Sequence, residues 1–126
     1  MPEWVFPISP VAASRPRVSR HGAYFAGPYK AWREEIIDII DFVLGPDFKP
    51  FDQPIKVDVE LFIRRPKTTK LAMPRADIDN FLKAVFDSLN KKLWVDDTLI
   101  QTVYATKQWA EKGSEGSFII GVDYIY

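Results

Sequence analysis

The sequence predicts an α/β (α+β) domain in which two main helices pack on a mixed β-sheet of about four strands. Two stretches carry apolar residues at helical spacing, one after Pro28 and one after Asp77, and a stretch with the alternation of a strand lies between them. At 126 residues the chain is long enough to bury one core but too short for separate catalytic and binding domains. We therefore expect a single domain over residues 1–126.

The amino-terminal part predicts a short strand and the first helix. Residues 4–8 have strand character, and residues 11–25 are expected to be irregular or to form a weak hairpin. Pro28 suits the first position of a helix, whose apolar spacing continues until Gly45-Pro46 stops it. Residues 49–54 are expected to be a linker.

The remaining part predicts three strands and the second helix. Residues 55–63 alternate between apolar and mostly charged side chains, the period of a half-buried strand, and they lead into a basic segment at 64–76. The second helix is expected over residues 78–92. Strands are expected at 99–109 and 118–125, joined by a turn rich in Gly and Ser.

The charges balance overall but are segregated along the chain. Seventeen basic and 17 acidic side chains give a net charge of zero, which argues against a polycation that coats nucleic acid indiscriminately. No acid occurs between Glu3 and Glu34, and none occurs in residues 61–76, although both windows contain several Arg and Lys residues. Such basic segments are typical of surfaces that contact phosphates. The alternative is that they are solvated loops without a binding function.

Several classes of site are excluded by composition. Without cysteine there are no disulfides, zinc-thiolate sites or cysteine nucleophiles, and His21 alone cannot build a multi-histidine metal site. The glycines are scattered, so a phosphate-binding glycine loop and a nucleotide cofactor are not expected. No apolar run approaches membrane-spanning length, so we expect a cytoplasmic protein without a membrane partner.

An acidic cluster lies between residues 77 and 97. It contains five carboxylates and Lys83, the carboxylates being Asp77, Asp79, Asp87, Asp96 and Asp97. Because like charges repel, such a cluster favours a hard, oxygen-seeking cation. At about 100° per residue, Asp79, Lys83, Asp87 and Asn90 share the helix face opposite the apolar stripe.

Each of these residues also has a purely structural interpretation. Asp77 is suited to cap the helix, Lys83 to form an i,i+4 surface pair, and Asp96-Asp97 to form a turn. A calcium-binding EF-hand loop starting at Asp77 is excluded, because Leu82 stands where its glycine is needed and Ser88 where its glutamate is needed.

The same stretch resembles the signature of the RusA family of Holliday-junction resolvases. The family pattern has D-x-D-N, a lysine three residues later, an F-D-x-L helix, and D-D after an aromatic residue; here it is R-A-D-I-D-N-F-L-K-A-V-F-D-S-L at 75–89, then L-W-V-D-D at 93–97. The segment R-P-R-V at 15–18, the aromatic residues Tyr24 and Phe25, and the helix from Pro28 look like phage and prophage relatives. The resemblance thus covers most of the chain.

The resemblance implies a small homodimer that binds four-way DNA junctions and makes paired nicks in strands of like polarity, using Mg²⁺ or Mn²⁺. The implied products carry 5′-phosphate and 3′-hydroxyl ends. The implied setting is the bacterial cytoplasm, with a phage or prophage origin as one option. Phe62, Tyr104 and Trp109 are apolar positions at which a dimer interface could lie.

The resemblance also implies roles for individual residues. The expected metal ligands are Asp77, Asp79 and Asp97, and Lys83 completes the catalytic set. Asn80 would hold a carboxylate in place. Asp96 is the alternative to Asp97, because the 90–93 connection is about a residue shorter than in some relatives. The i,i+4 spacing, rather than the resemblance, gives Asp87 the role of holding Lys83. The expected DNA contacts are Arg15, Arg17, Arg20, Arg64, Arg65, Lys67, Lys70 and Arg75.

Two other functions stay open from the residues. One is a metal-dependent endonuclease that acts more broadly on branched or flapped DNA with the same active-site residues. The other is a junction-binding protein without catalytic activity, in which the acids are only caps and turns.

Overall fold

The computed structural model describes residues 1–14, 17–24 and 27–126, with only the backbone described for Arg17, Ala23 and Tyr24. Within these residues the helices are α1 (Gly27–Leu44) and α2 (Ile78–Leu89), and a short 3₁₀ helix spans Asp97–Leu99. The strands are β1 (Glu3–Phe6), β2 (Arg17–Ser19), β3 (Gly22–Tyr24), β4 (Ile55–Ile63), β5 (Ile100–Trp109) and β6 (Ser117–Tyr124). None of the described helices is sufficiently long and apolar to cross a membrane.

Four of the strands form one mixed sheet in the order β1-β6-β4-β5. β4 pairs in parallel with β5 and antiparallel with β6, and β6 pairs antiparallel with β1. The parallel pair requires a crossover, which α2 supplies. The predicted mixed sheet of about four strands with two helices is confirmed, and β2 and β3 add a small separate hairpin within residues 11–25.

Both helices pack on the same face of the sheet because that face carries the apolar half of each strand. Every second residue of β4, from Ile55 to Ile63, is buried, as the alternation predicted. The helix residues buried against them are Tyr29, Trp32, Ile36 and Ile40 from α1 and Phe81, Ala84, Val85 and Leu89 from α2. Each large apolar side chain in this core contributes roughly 1.5–3 kcal/mol.

The second helix is shorter than its apolar spacing predicted. It ends at Leu89 instead of residue 92, because Asn90 leaves the helical conformation with ψ of 131° and Lys91 adopts a left-handed conformation with φ of 68°. This turn places Leu93 and Trp94 in the core. Burial of these two side chains, rather than continuation of the helix, therefore determines the path of the chain toward the acidic pair.

The opposite face of the sheet is acidic. Along β4 three of the four outward residues are charged, the exception being Phe62, and the paired positions of the neighbouring strands bring further acids to the same face. The charged residues on this outer face are Glu3, Lys56, Asp58, Glu60 and Asp123. Four carboxylates and one lysine leave this face with net negative charge, which disfavours contact with DNA.

Candidate active site

Asp97 is held by contacts to its side chain and to its backbone. The indole N–H of Trp94 donates a hydrogen bond to Oδ1 of Asp97. The backbone N–H of Asp97 donates to Oδ1 of Asn90 at 3.1 Å. Trp94 is fully buried, whereas Asp97 lies half-buried at the first position of the 3₁₀ helix. The hydrogen bonds with Trp94 and Asn90 therefore fix the position of the Asp97 carboxylate on the surface.

The surroundings of Asp97 disfavour its negative charge. Partial burial is the main cause that raises the pKa of its carboxyl group, and the charges of Asp87 and Asp96 raise that pKa further. The hydrogen bond from Trp94 and the charge of Lys83 act in the opposite direction. A partly buried carboxyl with a raised pKa beside other charges is typical of functional sites and of cation sites.

Lys83 and Asp87 form an ion pair with each other on α2, and the charges of both act on the carboxyl group of Asp97. The Nζ of Lys83 is 3.6 Å from Oδ2 of Asp87, one turn along α2. This is the i,i+4 contact expected from the sequence, and both side chains point away from the core. The pair leaves a lysine ammonium within the electrostatic reach of Asp97.

Asp96, unlike Asp97, uses its side chain to cap the 3₁₀ helix. Its Oδ1 accepts a hydrogen bond from the backbone N–H of Thr98 at 2.9 Å and so caps the 3₁₀ helix. The hydrogen bonds from Thr98 lower the pKa of this fully exposed carboxyl. Asp96 thus behaves as the turn residue of the structural interpretation, which favours Asp97 as the reactive member of the pair.

Asp77 and Asp79 lie at the amino-terminal end of α2. Asp77 occupies the N-cap position, but its side chain makes no capping hydrogen bond to any described residue; its backbone carbonyl accepts from Asn80 at 3.0 Å instead. Asp79 is in the first helical turn, and both side chains are exposed. The two carboxylates are consequently open to ligands and benefit from the positive end of the helix dipole.

The three expected metal ligands do not form one group in the structure. Asp79 and Asp87 are eight residues apart on α2, about 12 Å along its axis, and Asp97 is tied to the carboxyl end of α2 by its hydrogen bond to Asn90 at 3.1 Å. Among residues 1–14, 17–24 and 27–126, no three His, Cys, Asp or Glu side chains are arranged to hold a metal ion. The donors are still of the right chemistry, because Mg²⁺ is commonly bound by one or two carboxylates together with waters and substrate phosphates.

Contacts that the sequence patterns did not reveal anchor the start of α2. The Nζ of Lys107 donates to the backbone carbonyl of Ala76 at 2.7 Å, and the indole N–H of Trp109 donates to the carbonyl of Leu71 at 3.0 Å. Both donors belong to β5, far from Asp77 in sequence. No periodicity indicates such pairings; they depend on β5 lying beside the crossover.

The predicted DNA contacts are only partly described. Arg15 lies outside the described residues, and Arg17 is described by its backbone alone. Arg20 is exposed at the hairpin turn, Arg64 pairs with Glu115 at 3.4 Å, and Arg65 is half-buried. The exposed cations in the rest of the loop are Lys67, Lys70 and Arg75. This loop ends directly before Asp77, so basic and acidic groups meet at the start of α2.

Comparison with known proteins identifies the family of the chain. A search of curated proteins found no match. The profile of one family, described as Endodeoxyribonuclease RusA, matches residues 7–115. The match includes the basic loop, the whole of α2, the turn at 90–94 and both members of the acidic pair. The chain belongs to the RusA endodeoxyribonuclease family.

Proposed function

We propose that this protein is a structure-selective, divalent-metal-dependent endodeoxyribonuclease that resolves four-way DNA junctions by paired symmetric nicks during recombination and repair. The observation that carries the proposal is the setting of Asp97. A buried indole holds its carboxylate and an asparagine holds its backbone N–H, where the charges of Lys83 and Asp87 act on it, in a chain of a nuclease family. Partial burial and two neighbouring negative charges disfavour the charged carboxylate of Asp97. An aspartate that only formed a turn would not need such surroundings, which are typical of functional sites.

The carboxylates of Asp77, Asp79 and Asp97 are proposed to supply ligands for Mg²⁺ or Mn²⁺, with waters and the scissile phosphate completing the coordination. The described residues do not present the three carboxylates as one preformed site, so the proposal requires them to approach one another when the cation and the phosphate bind. When bound, the cation polarises the phosphate and lowers the pKa of an attacking water molecule. Lys83 is one helical turn after Asp79 and would stabilise negative charge on the phosphate oxygens. Asp87 orients Lys83 through their ion pair, and Asn80 would hold a neighbouring carboxylate.

The distribution of charge indicates which side of the protein meets DNA. The basic loop adjoins the start of α2, whereas the outer face of the sheet carries four carboxylates and one lysine. Phosphates are attracted to the first surface and repelled by the second. DNA is therefore proposed to lie across the side that carries α2 and the basic loop.

A pair of charge reversals tests this orientation. We expect Arg75→Glu in the basic loop to weaken binding of a four-way junction several-fold and to lower the salt dependence of log Kd by about one unit, because one phosphate contact is lost. Lys56→Glu, the same charge change on the outer face, should have a much smaller effect. Titrations in EDTA at several salt concentrations measure both, and equal losses in the two variants would contradict the orientation.

A homodimer is proposed because a four-way junction has near two-fold symmetry, so that a two-fold dimer can present one site to each of two strands. Among the predicted interface residues, Tyr104 is 68% exposed on the edge strand β5. Phe62 and Trp109 are half-buried by the chain itself. Light scattering distinguishes one 14.5 kDa chain from two.

The proposed function is tested by comparing DNA structures of matched sequence. In Mg²⁺ we expect paired, ligatable nicks in a four-way junction, little cleavage of a three-way junction, a flap or a linear duplex, and no cleavage in EDTA. Equal cleavage of the flap would favour the broader branched-DNA endonuclease. Binding of the junction without cleavage in either Mg²⁺ or Mn²⁺ would favour a junction-binding protein.

A further inference from the structure

Trp94 carries one polar side-chain atom, and that atom is bonded to Asp97. The indole is fully buried, and its Nε1 is a hydrogen-bond donor only. A buried indole N–H requires an acceptor, and the acceptor here is one oxygen of a half-buried carboxylate. The carboxylate keeps its other lone-pair positions for a further ligand.

Several backbone hydrogen bonds fix the conformation of the chain around Trp94. Phe51 and the turn exchange two hydrogen bonds of 2.9 Å, from Phe51 to Leu93 and from Val95 to Phe51. The N–H of Lys91 donates to the carbonyl of Trp94 at 2.8 Å, which closes the turn. The indole is therefore a fixed donor rather than a side chain that follows Asp97.

Asn90 restrains the same aspartate from the end of α2. It is the C-cap residue, its own N–H donates to the carbonyl of Phe86 at 2.9 Å, and its side-chain oxygen accepts from the N–H of Asp97. Asp97 is thus held at its carboxylate by the core and at its backbone by the helix that carries Lys83. Two independent contacts define its position relative to α2.

We infer that Trp94 and Asn90 are positioning residues that hold the carboxylate of Asp97 ready for a divalent cation. The inference rests on the proposed function, in which Asp97 is a metal ligand. Groups that orient a ligating side chain typically contribute about 10–100-fold to metal affinity or activity. Both residues would act through Asp97, to which each is hydrogen-bonded.

The sharpest variant removes the N–H of Trp94 and keeps its shape. Incorporation of benzothienylalanine at position 94 replaces the N–H by sulfur in an otherwise similar two-ring side chain. The matched control is the same replacement at Trp32, whose buried indole N–H donates to the carbonyl of Ser9 at 2.9 Å away from the acids. Asn90→Ala is the second variant, because it removes the other contact and leaves the core untouched.

The affinity for Mn²⁺ tests the inference independently of DNA cleavage. It is measured from the loss of the electron paramagnetic resonance signal of free Mn²⁺. We expect the dissociation constant for Mn²⁺ to rise about 10-fold or more in the position-94 and Asn90→Ala variants and to stay unchanged in the position-32 control. In cleavage assays the half-saturating Mn²⁺ concentration should rise in parallel, while the rate at saturating Mn²⁺ changes much less.

Unchanged Mn²⁺ affinity in a folded position-94 or Asn90→Ala protein would overturn the inference, and so would wild type that binds no Mn²⁺. Circular dichroism of each variant establishes that it is folded. Failure of the proposed function has a different signature, namely wild type that binds Mn²⁺ but cleaves no junction. In that case the comparison of Mn²⁺ affinities still decides whether Trp94 and Asn90 position Asp97.

Discussion

We expect Asp79→Asn to lower the rate of Mg²⁺-dependent junction cleavage by about 10³-fold or more, while binding of the junction persists or strengthens. A bound cation contributes several kcal/mol of transition-state stabilisation, and each 1.36 kcal/mol corresponds to tenfold in rate. Removing a carboxylate also removes its repulsion of phosphate. Single-turnover cleavage in Mg²⁺ and binding in EDTA measure the two effects separately.

Asp58→Asn is the matched control for this experiment. Asp58 is an exposed carboxylate on the outer face of the sheet, so the change in charge is the same but the site is distant. Its cleavage rate should equal that of wild type. Cleavage that survives Asp79→Asn unchanged would show that the acids at the start of α2 are only structural.

The second large effect concerns stability. We expect Gly116→Ala to lower the free energy of unfolding by about 2–5 kcal/mol, from left-handed strain and overpacking together. Gly116 has φ of +87°, and an added Cβ would lie 2.8 Å from the backbone oxygen of Phe62 and 2.9 Å from Cβ of Ser9. The β5–β6 turn packs so closely here that the residue must be glycine.

Gly113→Ala separates strain from packing in the same turn. Gly113 has φ of +83°, but an added Cβ would meet nothing within 4 Å. Its substitution should therefore cost only the left-handed strain, about 1–2 kcal/mol. Urea denaturation of both variants measures the difference, and equal losses would mean that the contact with Phe62 relaxes freely.

Local patterns were sufficient to predict most of the secondary structure. Alternation in β4 and the apolar spacing in α1 are properties of consecutive residues, so they can be read without knowing what the elements pack against. The end of α2 was misplaced because Leu93 continues the helical apolar spacing. Its burial together with Trp94 in a turn satisfies the core equally well, and only the three-dimensional packing distinguishes the two solutions.

The sequence by itself determined the mixed sheet with two helices, the exposed face of α2 that carries Asp79, Lys83 and Asp87, and the resemblance to RusA. The tertiary structure alone decided that Asp96 caps a turn whereas Asp97 is held by hydrogen bonds with Trp94 and Asn90. It also decided that Asp97 is tied to the carboxyl end of α2, whereas Asp79 lies in the first turn of that helix. The physical reason is that periodicity is a local property of the chain, whereas the geometry of the site is not. Periodicity specifies which side of an element is buried, whereas the distance between two carboxylates on different elements depends on how the intervening turn packs into the core.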